Sequence, residues 1–92
     1  MTDNTYNGWT NYETWQAALW LNETDFLGRC QEDEVKAIDS EMLDAELYYI
    51  ANADEMRGLA CDIYNGWLSC VNLHEIADTF NQELTAMGED HE

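Results

Sequence analysis

An all-α domain follows from three observations on this chain. It has no proline, glycine occupies five of its 92 positions, and a helix-start signal recurs, each time ahead of apolar residues at helical spacing. The length fits one domain. Hydrophobic residues make up 46% of the chain, with four Trp and five Tyr. That suffices for a packed core and is unlike a disordered acidic segment. The expected architecture is one small bundle of three to four helices over residues 1–92, with 1–10 as an N-terminal arm and 88–92 as a frayed tail.

The first helix is expected over 11–22. Thr10-Asn11-Tyr12-Glu13 reads as a capping box, a side-chain oxygen at the cap and a Glu three residues on that bonds back. Tyr12, Trp15, Ala18, Leu19 and Leu21 would face inward, with Trp20 off that stripe. Asn22 to Asp25, together with Gly28, reads as a connection. The second helix is expected over 31–51; Val35, Ile38, Met42, Ala45 and Tyr49 form one stripe, and Leu43, Leu47 and Ile50 a second. The third, over 53–69, opens at Asn52 and places Met56, Leu59, Ala60, Ile63 and Trp67 on one face. Only Asn52 separates the two, so one kinked element is the alternative. The fourth, over 73–87, opens at Asn72-Leu73-His74-Glu75, carries Leu73, Ile76, Ala77, Phe80, Leu84 and Met87 on one face, and stops at Gly88. Tyr-Asn-Gly-Trp occurs at 6–9 and again at 64–67 with different flanks. The first copy reads as a turn and the second as mid-helix.

Charge says most about function. Twenty acidic side chains face three basic ones, for a net charge of −17. A chain of this mass folds to roughly 5,500 Å² of accessible surface, so the excess averages about one charge per 320 Å². That density disfavours nucleic acid, anionic membranes and acidic partners, and favours a basic surface. Residues 31–55 hold nine acids, Glu32, Asp33, Glu34, Asp39, Glu41, Asp44, Glu46, Asp54 and Glu55, against Lys36 alone. On a continuous helix they would present one carboxylate per ~4 Å of axis, within a factor of about three of duplex DNA. An exposed helix of mixed sign would gain i,i+4 ion pairs, and this segment forgoes them. The nine are the candidate partner-binding residues, and the expected partner is a basic nucleic-acid-binding protein. Adaptation to molar salt is the competing explanation. It predicts acids spread over the whole surface, where mimicry of a polyanion predicts them on one flank.

Other chemistry is thinly represented. Cys30, Cys61 and Cys70 are an odd set with no secretory signal ahead of them, which reads as reduced, buried thiols and a cytoplasmic setting. Cys70 and His74 stand four apart, but no paired Cys or His spacing completes a metal site. No phosphate-binding Gly loop is present, so no metal and no cofactor is expected. Ser69, Cys70, His74 and Asp78 do not compose a convergent nucleophile–base–acid set, and an enzyme is not expected. The longest apolar run, Ala17 to Leu21, is too short to cross a bilayer. Trp9, Tyr12, Trp15 and Trp20 read as core, because a base-stacking platform without cations would repel phosphates. A chain this acidic is expected to be a monomer, or a weak dimer through its Trp surface.

Two end motifs add a resemblance. Gly8-Trp9-Thr10-Asn11-Tyr12-Glu13-Thr14-Trp15, followed by Leu19-Trp20-Leu21-Asn22, resembles the opening of a set of small proteins of phages, plasmids and other mobile elements, whose signature runs roughly G-W-x-N-Y-E-T-W-x-x-x-L-W-L. Val71-Asn72-Leu73-His74-Glu75-Ile76-Ala77 is similar to their closing V-N-W-x-E-I-A, with Leu73 in place of Trp. The resemblance covers about a third of the chain and leaves out the acidic middle. It implies a helical mobile-element protein whose ends build the core, and carries no catalytic or binding residue with it. Several anti-CRISPR and antirestriction proteins are similar in size and charge, though not in sequence. The expected function is an acidic nucleic-acid mimic that blocks the DNA- or RNA-binding surface of a host defence complex, a CRISPR effector or restriction enzyme, in the host cytoplasm. The alternative is an accessory module that binds a basic partner of the element without displacing nucleic acid.

Overall fold

Each helix begins where a short polar side chain or a glycine can turn the chain. The computed structural model describes residues 6–89, with side chains through Ala86. Within it lie α1 (Tyr12–Glu23), α2 (Phe26–Glu32), α3 (Ser40–Ile50), a 3-10 turn (Ala53–Glu55), α4 (Leu59–Cys70) and α5 (Leu73–Glu89). The class is all-α as expected, with five helices instead of three to four. Residues 1–5 of the expected arm and 90–92 of the expected tail lie outside the described residues. Gly88 does not stop α5, which runs through it to Glu89.

The first Tyr-Asn-Gly-Trp is a two-residue reverse turn. The Tyr6 and Trp9 backbones exchange hydrogen bonds of 2.7 and 2.8 Å, and Asn7 and Gly8 both take positive φ, 49° and 90°. The second copy lies inside α4, where neighbouring turns supply the hydrogen bonds that a loop would otherwise need. The cap of α1 is Asn11, one residue later than the capping box suggests. Its Oδ1 accepts from the Thr14 amide at 2.8 Å and the Thr14 hydroxyl at 2.6 Å.

That cap interlocks with the start of α5. The Asn11 side chain donates to the Cys70 carbonyl at 2.8 Å, and the Asn72 amide donates to the Thr14 hydroxyl at 2.9 Å. Asn72 in turn caps α5, accepting from the Glu75 amide at 3.1 Å, while the Glu75 carboxylate accepts from the Thr10 amide at 3.1 Å. The two end motifs therefore bind each other, and Thr14 at their centre is fully buried.

The expected helix over 31–51 is two helices with an extended connector. Glu34 takes φ 59°, which reverses the chain. The Val35 amide then returns to the Cys30 carbonyl at 2.9 Å and the Glu34 amide to Gln31 at 3.1 Å, the pattern of a Schellman stop. Ile38 is buried in the core, and the Asn81 side-chain amide clamps its backbone from both sides, accepting from Ile38 N at 2.7 Å and donating to Ile38 O at 2.8 Å. Asp39 then caps α3 through the Met42 amide at 2.9 Å. One long helix would leave Ile38 and the Asn81 amide without these partners. Asn52 in left-handed geometry and Gly58, at φ 56° and ψ −124°, separate α3 from α4. The expected third helix thus starts only at Leu59, and the kinked single element does not occur.

α1 packs against all four other helices, and α5 also packs against α2 and α3. Ala17, Leu21, Leu43, Ile76 and Phe80 form the deepest layer. The buried face of α1 is Thr14, Ala17, Ala18 and Leu21. Tyr12 and Leu19, expected inside, are exposed because they lie two turns apart on the side of the helix away from that face. In α3 the second stripe wins: Leu43 and Leu47 are buried, whereas Ala45 and Tyr49 face solvent. The molecule is a slab, 19 Å in its shortest dimension, with a radius of gyration of 14.3 Å where a compact chain of this length has about 12 Å.

Replacing the buried hydroxyl, Thr14→Val, leaves the Asn72 amide without its acceptor and should cost about 1–3 kcal/mol in urea unfolding. Thr14→Ser should recover most of that loss. Glu34→Gly removes the penalty of a side chain in left-handed geometry and should raise stability by about 1 kcal/mol. A loss there would mean that residues 31–39 do not turn as described.

Candidate partner-binding surface

The nine candidate acids occupy several elements, not one rod. Glu32 ends α2, Asp33 and Glu34 form its stop, Asp39 caps α3, Glu41, Asp44 and Glu46 lie along α3, and Asp54 and Glu55 are in the 3-10 turn. All are exposed except Glu46. The single-helix charge spacing is therefore corrected: the break at 33–39 divides the run. Glu41 and Asp44 share one flank of α3 with Tyr48, three and four residues apart.

Glu46 does not belong to a free acidic face. It forms an ion pair with Arg29, the only ion pair among the described residues, and its side chain is 14% exposed. The Arg29 guanidinium also donates from Nε to the Thr24 carbonyl at 3.3 Å and lies 5.9 Å from the Phe26 ring centre. The hydrogen bond to Glu46 holds the Arg29 pKa above its ordinary value. Arg57 turns its guanidinium onto the Asp54 and Met56 carbonyls, at 3.2 and 2.9 Å. Two of the chain's three cations thus serve the fold, and the carboxylates outside stay uncompensated.

Some of those carboxylates also have local work. Glu13, Glu41, Asp62 and Glu75 each sit in the first turn of a helix, where the helix dipole favours negative charge. Exposed acids occur on every helix, including Glu23 on α1, Asp62 on α4, and Asp78 and Glu83 on α5. The acidic skin extends well beyond the 32–55 segment and onto every helix, so the acids are not confined to the one flank that mimicry of a polyanion predicts.

Sequence reasoning did not identify an apolar groove of about 540 Å³ between α1, the end of α3 and α4. Gln16 and Trp20 line it from α1, Leu47 and Ile50 from α3, and Ile63 and Trp67 from α4. The Trp67 indole donates to Gln16 Oε1 at 2.9 Å, which docks α4 onto α1. Tyr64 also lines the groove; its hydroxyl is buried without a protein partner. Burial raises the Tyr64 pKa, with nearby Asp44 and Tyr48 adding to the shift. The face that fits a helix best in the sequence, Met56, Leu59, Ala60, Ile63 and Trp67, is the face left open: Leu59 is 74% and Ile63 62% exposed, and in α4 only Tyr64 is buried. Trp20, off the inward stripe of α1, was the other available sign.

A protein-family model described as a family of unknown function (DUF7249) matches residues 2–90. The chain belongs to this DUF7249 family. No curated protein and no solved structure matches it. Both end motifs fall inside the DUF7249 match, and in this member they form the interlocked caps of α1 and α5.

The aromatic residues are not all core: Tyr6, Tyr12 and Trp15 cluster edge-on or tilted with centroids 5.0–5.5 Å apart, Tyr6 and Tyr12 exposed, and Trp20 is half exposed. No group of three metal-ligating side chains comes together among the described residues. No helix among them is long and apolar enough to cross a membrane.

The thiols are also not uniformly buried. Cys30 is buried, Cys61 is intermediate and Cys70 is exposed, all as free thiols. Burial pushes the Cys30 thiol up in pKa, which withholds the reactive thiolate. A thiol reagent such as dithionitrobenzoate at neutral pH should therefore modify Cys70 fastest, Cys61 more slowly, and Cys30 only on unfolding.

Proposed function

We propose that this chain is an inhibitor that binds the basic, nucleic-acid-binding surface of a host defence complex, of the kind found in CRISPR effectors and restriction enzymes. The observation that carries this reading is the uncompensated acidic skin. Eight of the nine candidate acids are exposed, and the one ion pair among the described residues takes up the ninth, Glu46, against Arg29. Stability alone would favour surface lysines among these acids, since each like-charge neighbour at helical spacing is unfavourable. A basic partner supplies the missing cations from outside. The resemblance of the end motifs to mobile-element proteins fits such a role in an infected host's cytoplasm.

On this reading the chain acts by occupancy, as a monomer and without a cofactor. Its charge accelerates encounter, so association is fast at low salt and slows as salt screens it, over a Debye length of about 8 Å at physiological ionic strength. The carboxylates of Glu32, Asp33, Glu34, Asp39, Glu41, Asp44, Asp54 and Glu55 meet Lys and Arg that otherwise hold phosphates.

A second reading is favoured by the groove. A pure polyanion decoy has no use for an open apolar surface, whereas an accessory module that grips a protein partner does. On that reading the partner keeps its nucleic acid.

One experiment separates these readings. The partner is captured from host lysate on the immobilised chain, then titrated with its labelled DNA or RNA in the presence of the chain. Mutual exclusion supports the inhibitor; a ternary complex sinks it in favour of the accessory module. Circular dichroism in low-salt buffer tests the rival origin of the charge. A chain that folds only near molar salt would assign the acids to salt adaptation.

A further inference from the structure

We propose that the groove between α1, α3 and α4 receives an amphipathic helix of a protein partner. Its apolar side chains seat against Trp20, Ile63 and Tyr64, and its flanking Lys and Arg side chains pair with acids at the rim. The proposal deepens the reading above, in that it takes the partner to be a basic protein.

The apolar face of α4 is the starting point. Its residues recur at helical spacing, yet Ile63 is 62% and Leu59 74% exposed. Each square ångström of such surface forfeits about 25 cal/mol of burial, and a chain already under self-repulsion would gain from polar residues there. The groove's volume, about 540 Å³, is in the range of binding sites. The apolar surface does not end at its mouth. Tyr48, which lies near Tyr64, is 48% exposed, and Leu59, one turn before Ile63, is 74% exposed. A small ligand in the groove would leave Tyr48 and Leu59 uncovered, while a helix laid along it covers them with residues at i, i+3, i+4 and i+7.

Charge selects the kind of helix. Asp54 and Glu55 stand in the short segment between Ala51 and Met56, both of which line the groove. Asp44 lies close enough to Tyr64 to raise its pKa. Arg57, which follows Met56, is turned onto backbone carbonyls. An apolar helix with basic flanks complements this rim. A second copy does not, because each copy brings a net charge of −17.

The test uses the full chain and a designed fluorescent peptide of about 18 residues, five helical turns, with Leu and Phe on one stripe and Lys and Arg elsewhere. Two controls accompany it: the same composition with the stripe scrambled, and the same stripe with Glu replacing the cations. The basic amphipathic peptide should bind saturably and shift the indole N–H resonances of Trp20 and Trp67. Binding should be roughly tenfold weaker for Ile63→Ser, whose thermal midpoint should stay unchanged because the side chain is exposed. Asp54→Asn with Glu55→Gln should weaken binding and flatten its salt dependence.

Equal binding of the scrambled peptide would overturn the groove while leaving a basic partner in place. Equal binding of the acidic peptide would overturn the basic partner and the function proposed above with it. No saturable binding of the basic peptide would overturn the groove, whatever the competition experiment returns. A dimer dispersed by Ile63→Ser in sedimentation would give the groove to a second copy.

Discussion

The hydrogen-bonded lock between the two ends of the chain is what the rest of the architecture depends on. Thr14 lies at its centre with no exposed surface, donating to Asn11 and accepting from the Asn72 amide 58 residues away. A buried hydroxyl left unpaired costs about 1–3 kcal/mol, so the network holds only when all its members are present. It also fixes geometry. Asn11 and Asn72 each satisfy an orphan amide at their own helix start; Asn11 also donates to the Cys70 carbonyl at the end of α4, and the Asn72 backbone amide reaches Thr14 in α1. The starts of α1 and α5 are thereby placed side by side, and both helices turn one apolar face to the same core.

With α1 fixed in this way, the remaining helices attach to it, and the attachment is uneven. α2 and α3 also reach α5, whereas α4 packs chiefly on α1. Its dock is the Trp67–Gln16 hydrogen bond and the burial of Tyr64. The slab therefore has a filled part, around Leu21, Leu43, Ile76 and Phe80, and an open part beside α4. Flatness also suits the charge. At physiological salt the Debye length, about 8 Å, is less than half of the 19 Å thickness, so acids on opposite faces barely repel one another. A rounder fold of the same chain would crowd them.

The helical class and the register of α5 were legible because that helix obeys one rule throughout: Asn72 caps it, and Ile76, Ala77 and Phe80 return every three to four residues to a single core. The face of α1 was misread because its deepest contact is polar; Thr14 does not score as core until its partner 58 residues away is known. The break at 33–39 was hidden for a related reason. Glu34 is no ordinary stop residue, and its left-handed geometry is held by distant partners, the Ile38 pocket and the Asn81 clamp. Composition revealed the acids and their exposure. It could not reveal that Glu46 is drawn onto Arg29, nor that the cleanest apolar stripe, on α4, is left open at Leu59 and Ile63, because periodicity shows that a face is apolar and not what covers it.

Acidic skin and apolar groove suit different stages of one encounter. Long-range charge raises the association rate and weakly selects any basic surface, while its effect on the lifetime of a complex is modest at physiological salt. A packed apolar contact adds nothing at a distance, yet it slows dissociation and discriminates by shape. Neither part alone gives a specific, durable complex: the acids would bind many cationic surfaces briefly, and the groove would meet its partner slowly. The chain keeps both at a cost to its own stability, one through repulsion and the other through unburied apolar surface. Two unfavourable features that become favourable against the same basic, amphipathic partner are more economically explained by that partner than by separate causes.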